Sequence, residues 1–141
     1  MASGVTNRGR YLLLGFAFRG TTLPTNYYIH LANSTPTVDS NTVSDITEAS
    51  NYTPYQLTPG ATDFDVFTED DSGDQAYVQV KDISVAATGA CTATHALLTD
   101  DNVTPANRQI LAFFDLGGSI VRASSETFDL VNMQFTAGLP A

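Results

Sequence analysis

A length of 141 residues suits about one domain, and a 43% apolar content with eight Phe and six Tyr excludes a disordered chain. The net charge of −9 disfavours a phosphate backbone as partner, and the single cysteine, Cys91, excludes an intrachain disulfide and fits assembly in a reducing cytoplasm. Charged residues make up only 15%, with Thr, Ser, Asn and Gly in their place, a mix that favours short strands and turns over helices.

Charge is unevenly placed along the chain. Residues 1–20 carry Arg8, Arg10 and Arg19 and no acid, and the first acid is Asp39. Beyond residue 20, fifteen acids against Lys81, Arg108 and Arg122 leave −12. Between the arginines, the run YLLLGFAF (Tyr11 to Phe18) has no charge and no amide. An arginine-led apolar run resembles a secretion signal, but Arg19 follows at once and no small-x-small cleavage site appears. The run is also far too short to span a bilayer. The chain is therefore expected to remain in the cell that makes it, with no membrane partner.

In chain order, the first element expected is a short helix over about residues 5–18, because Leu and Ala outweigh a run without β-branching after Val5. Gly20 is its C-terminal stop and Pro24 marks the break. On such a helix Tyr11, Leu14 and Phe18 share one face while Leu12, Leu13 and Phe16 point elsewhere, so no side of it is polar.

The period then changes to two. In NYYIHLA, Tyr27, Ile29 and Leu31 oppose Tyr28, His30 and Ala32. STPTVDSNT is a turn-rich loop, and one helical turn capped by Thr42 or Ser44 follows. In TDFDVFTE, Phe64 and Val66 are expected inward and Asp63 and Asp65 outward. After the turn DDSGDQ, Ala76, Val78 and Val80 point one way, and Ile83 and Val85 fall on the opposite phase. That slip near Asp82 predicts a bulge or bend. TGACTAT reads as a small-residue turn, THALLTDD as a short strand, and RQILAFFDL as a strand buried on both faces. GGSIVRASSE reads as a loop with a short strand, and TFDLVNMQFTA closes the chain with a second slip between Leu130 and Val131. Seven or eight short strands predict a mainly β fold: an antiparallel β-sandwich, in its jelly-roll version given the uneven strand spacing, with a short N-terminal helix. The whole of 1–141 is expected to be one domain, residues 1–20 an apolar arm and 21–141 the sandwich.

No constellation carries chemistry. His30 and His95 lie in strand-like runs, and no Gly-x-Ser-x-Gly elbow, phosphate loop or His-Glu-x-x-His accompanies them. Cys91 has no paired motif and reads as an inert thiol. Asp70, Ser72 and Asp74 have the first spacings of a calcium loop without its continuation or its bidentate Glu, so solvated hairpin turns are expected. Tyr27, Tyr28, Tyr52 and Tyr55 would suit a sugar platform as well as ordinary packing, and the chain has no Trp. No catalytic residue, cofactor or metal is expected.

Three stretches carry a resemblance: LLLGFAFRGTTLPTNYYIHLANSTPTVDSNTVSDITE, ATDFDVFTEDDSGDQAYVQVKDIS and ALLTDDNVTPANRQILAFFDLGG. With the apolar front helix, the Gly-Thr…Pro-Thr-Asn turn and the aromatic strands in this order, the chain resembles small virion proteins from the structural modules of tailed bacteriophages. Members of that group are variously head decoration, cement or tail-associated proteins. The resemblance implies a non-enzymatic capsid decoration protein on the virion exterior, assembled in the host bacterial cytoplasm. Its partners would be the major capsid protein and further copies of itself, as dimer or trimer, with no nucleic acid. The alternative is a tail or fibre component with a receptor- or carbohydrate-binding sandwich. In the decoration reading, the front helix offers a face to the shell or an adjacent subunit, with Leu13 and Phe16 as apolar contacts and Arg8, Arg10 and Arg19 pairing with acids there. The competing reading is that the whole run plugs the sandwich.

Overall fold

The computed structural model describes residues 3–138. In chain order its elements are β1 (Gly4–Val5), α1 (Asn7–Phe18), β2 (Tyr27–Ala32), β3 (Tyr55–Leu57), β4 (Val66–Asp70), β5 (Gln75–Val80), β6 (Ile83–Ala86), β7 (Cys91–Thr99), β8 (Ile110–Arg122), β9 (Thr127–Leu130) and β10 (Met133–Gly138). A 3-10 turn at Val43–Asp45 is capped by Thr42, one of the two caps the sequence offers. A five-stranded sheet runs β1-β8-β7-β2-β3, a three-stranded sheet β10-β5-β4, and β6 pairs with β9, every pairing antiparallel. Ile29, Leu31, Leu98 and Phe114 from the first sheet meet Val80, Ile83, Val85, Phe128 and Phe135 from the other two in one core. This is the expected antiparallel sandwich; the finer jelly-roll connectivity is not shown by this strand order.

The two phase slips are one structural event. β5 ends at Val80 and β6 begins at Ile83, while β9 ends at Leu130 and β10 begins at Met133. Val80 pairs with Met133 and Ile83 with Leu130, so the breaks at 81–82 and 131–132 lie opposite each other. A strand pair bends together at this level, and Asn132 takes the left-handed backbone (φ 55) that turns it.

Two expectations hold only in part on β7 and β8. The TGACTAT segment turns only at residues 88–90: β7 already starts at Cys91, where Cys91, Thr92 and Ala93 pair with Arg122, Val121 and Ile120 of β8. The strand expected within GGSIVRASSE is the second half of β8, which continues to Arg122, and the turn is confined to residues 123–126. Gly117 and Gly118 hold positive φ (84 and 142) inside β8, bending the strand without ending it. As expected for RQILAFFDL, β8 is buried on both faces over residues 110–114; its second half alternates between half-buried and exposed positions. Leu111 and Phe114 join the main core, while Ile110 and Phe113 pack with Ala32, Leu97 and Ile46 on the reverse side.

The helix begins later than expected, at Asn7, because Gly4 and Val5 pair with Phe113 and Ala112 of β8. Thr6, fully buried, fixes the junction. Its hydroxyl accepts the Gly9 N–H at 2.8 Å, and it donates to the carbonyls of Ile110 and Leu111. The Thr6 N–H bonds to the same Leu111 carbonyl at 3.0 Å. Leu111 sits at the irregularity where Leu98 pairs with Ala112 but Thr99 with Ile110. The helix thus docks on a bulge in β8. Gly20 ends it at φ 67, as its position predicts.

Candidate functional site: an apolar helix face beside a cleft

Only part of α1 is used by the chain's own core. Gly9 and Leu12 are buried against the sheet, Gly15 is covered by Thr21 of the segment that follows the helix, and Phe16 packs half-buried against the main core. Tyr11, Leu14 and Phe18 are exposed by 69%, 60% and 78%, at the i, i+3, i+7 spacing of one helix face. The run is therefore not a plug. Among the expected contact residues, Phe16 is turned inward and Leu13 lies at the boundary; the outer face is built by Tyr11, Leu14 and Phe18.

The arginines separate by position. Arg8 lies 5.5 Å from the centre of the Tyr11 ring, and its charge helps lower the Asp45 pKa, after the larger effect of backbone N–H groups from Thr42 and Asn41. Arg10 hydrogen-bonds the side-chain oxygen of Asn7 at 3.0 Å, and Arg19 is exposed at the helix end. Among the described residues, none of the three forms an ion pair. Three guanidiniums along a helix that exposes apolar rings, with no ion pair to a carboxylate among the described residues, make a face suited to another protein.

Leu13 also lines a cleft of about 470 Å³ beside the helix. The other walls are Tyr27, Leu98 and Leu111 from the five-stranded sheet and Phe67, Val78 and Phe135 from the three-stranded one. The expected phase holds at Phe64, which packs against the main core, and at the exposed Asp65, but changes within β4: Phe67 pairs with Val78, which pairs with Phe135, so Phe67 rather than the half-buried Val66 shares the face that carries Val78 and Val80. The turn at 58–64 precedes that change: Asp63 accepts the Thr58 N–H and pairs with Lys81 at 2.5 Å. Phe67 stands at the lip, 85% exposed.

His30 is a fastening. Its side chain is fully buried, with Nδ1 2.7 Å from Glu48 Oε1 and Nε2 3.1 Å from an Arg108 guanidinium nitrogen. Arginine only donates, so Nε2 accepts and Nδ1 carries the proton towards Glu48. Tyr52 donates to the same carboxylate and accepts the Leu31 N–H at 2.9 Å. Arg108 also donates to the Asn102 carbonyl and lies 3.7 Å from the centre of the Tyr28 ring. Burial raises the Glu48 pKa, but hydrogen bonds from His30 and Tyr52 outweigh it and hold the carboxyl below its ordinary range. Burial and the Glu48 hydrogen bond push the Tyr52 phenol upward. The network pins the segments around Glu48 and Arg108 onto β2, and both imidazole nitrogens are spent in doing so. His95 is also fully buried, and burial lowers its pKa although the charge of Asp115 opposes the shift.

Other candidates resolve into structure. Asp70 accepts from Ser72, Gly73 and Gln75, closing the β4–β5 hairpin, and no group of three metal-ligating side chains occurs among the described residues. The left-handed residue of that turn is Asp74 (φ 50), not Gly73. Tyr27 packs edge-on to Phe64, Tyr28 lies under Arg108, Tyr52 is in the His30 network and Lys81 sits over Tyr55. Cys91 is buried, which raises its thiol pKa. No helix among the described residues is long and apolar enough to cross a membrane. Comparison with protein-family models and with curated proteins finds no match to this chain.

Proposed function

We propose that this chain is a non-enzymatic structural protein of a tailed-phage virion, a capsid decoration or cement protein that binds the shell of major capsid protein and stabilises it. The reading rests on the resemblance carried by the three sequence stretches quoted above. The observation that supports it is the outer face of α1: Tyr11, Leu14 and Phe18 exposed together and flanked by Arg10 and Arg19, on an otherwise acidic body. A free-standing protein gains nothing from holding these side chains in water. A protein that grips a shell or an adjacent subunit does. The tyrosines that would suit a sugar-binding tail component are engaged in internal packing, which favours the decoration role over the fibre role.

Particles assembled without this protein should lose their genome at a lower temperature than complete particles. Adding the purified protein back should restore the difference. Unchanged heat resistance in both cases would remove the stabilising role.

A further inference from the structure

The cleft has two flanks of opposite character. On one side stands α1, with Leu13 in the cleft wall and Leu14 and Phe18 outside it. Arg10 precedes Leu13 and Leu14 by three and four positions and so shares their side of the helix, whereas Arg8 lies beyond Tyr11. On the other side stands the β4–β5 hairpin, with Phe67 exposed at the lip. Glu69, two residues on, projects from the same face of β4 as Phe67. The hairpin region from 64 to 80 holds five acids and no base, and the chain before Asp39 holds no acid.

We propose that this surface is self-complementary and that the partner seated on it is a second copy of the chain, related by a two-fold axis at the mouth of the cleft. Such an axis brings α1 of each copy against the hairpin of the other, because the same patch must meet itself in reverse. Apolar rings then face apolar rings, and Arg10 of each copy faces Glu69 of the other. A patch of uniform charge would repel itself; one divided into basic and acidic halves attracts itself in this orientation. The cleft has space for the insertion. A cavity of about 150 Å³ takes a benzene ring, and this one measures about 470 Å³, enough for a second copy's Phe67 side chain. Burying the exposed parts of Tyr11, Phe18 and Phe67, at roughly 150–250 Å² per fully buried aromatic, with Leu14 beside them, supplies roughly half or more of the roughly 800 Å² per partner of a standard interface, the remainder falling to its polar rim. Direct pairing of two β4 edges is disfavoured, because Asp65 and Glu69 would bring like charges together across it.

The inference gives the self-association expected of this chain a surface and a symmetry, and is tested without particles, by sedimentation velocity on the purified full chain over a range of concentrations and salt. The expected result is a dimer that weakens as salt rises. Leu14→Asp and Phe67→Asp are expected to sediment as monomers with unchanged circular dichroism. Arg10→Glu and Glu69→Arg should each raise the dissociation constant about tenfold or more, while an equimolar mixture of the two recovers a tight heterodimer. A wild-type monomer at all concentrations would overturn the proposal. So would a trimer, or a dimer indifferent to both aspartate substitutions. A monomer that still binds capsid shells would assign the face to the shell protein and leave the proposed function standing.

Discussion

A β-carbon placed on Gly9 would stand 2.2 Å from the carbonyl oxygen of Leu111. Helix and sheet backbones approach that closely because Thr6 ties both ends of the contact, accepting from Gly9 and donating to Leu111. The orientation of α1, and so the direction in which Tyr11, Leu14 and Phe18 point, follows from this junction.

Gly9→Ala should therefore destabilise the protein. In an ordinary helix interior the change would stabilise by about 1 kcal/mol. Here the obstruction is backbone rather than a movable side chain, so overpacking wins, with an expected net loss of about 2 kcal/mol. Urea denaturation of the variant against the wild type measures it.

The two sides of α1 should respond oppositely to one substitution. Leu12→Asp places a charge in the core beside Val5 and should prevent folding. Leu14→Asp should leave the stability of the folded monomer almost unchanged, within about 0.5 kcal/mol, as for other exposed positions, when compared at concentrations low enough that the wild type is also monomeric. Equal loss of folding in both would mean that the run is a plug after all.

Arg108→Lys should cost stability although the charge is kept. Lysine cannot meet His30, Asn102 and the Tyr28 ring with one planar fork. Arg108→Ala leaves the buried His30 Nε2 unmet and should cost about 3 kcal/mol. Denaturant midpoints of the two variants distinguish loss of geometry from loss of charge.

Glu48 gives this network a pH dependence. Its folded pKa lies below the ordinary 4.5, so its contribution is fully present above that value and is lost as pH falls through the lowered one. Asp45, Asp63 and Asp129 are lowered too and act in the same direction. The informative quantity is thus the difference between wild type and Glu48→Gln. That difference should shrink as the solution is acidified below about pH 4.5, as thermal melts in a pH series would report.

Cys91 should not react with thiol reagents in the folded protein, since burial both covers it and disfavours the thiolate. After unfolding it should label fully. Rapid labelling of the native protein would mean that the start of β7 opens.

What the sequence makes legible is local. The face shared by Tyr11, Leu14 and Phe18, the Thr42 cap, the Gly20 stop and the slips at Asp82 and Val131 all follow from short-range periodicity and turn chemistry. What it hides depends on partners distant in the chain. His30 and Arg108 are 78 positions apart, and nothing near either announces the other. Small residues at 90–94 look like a turn until the neighbouring strand is known, and the glycines at 117–118 look like an end although β8 passes through them. The cleft was concealed for the same reason: the face taken by Phe67 is set by the turn before it and by pairing with β5.

The copy number of this chain in purified virions, by quantitative mass spectrometry against the major capsid protein, tests the central claim most directly. A decoration protein should be present in hundreds of copies, in a simple ratio to the shell subunit. A handful of copies would place it in the tail, and absence from the particle would contradict a virion role altogether.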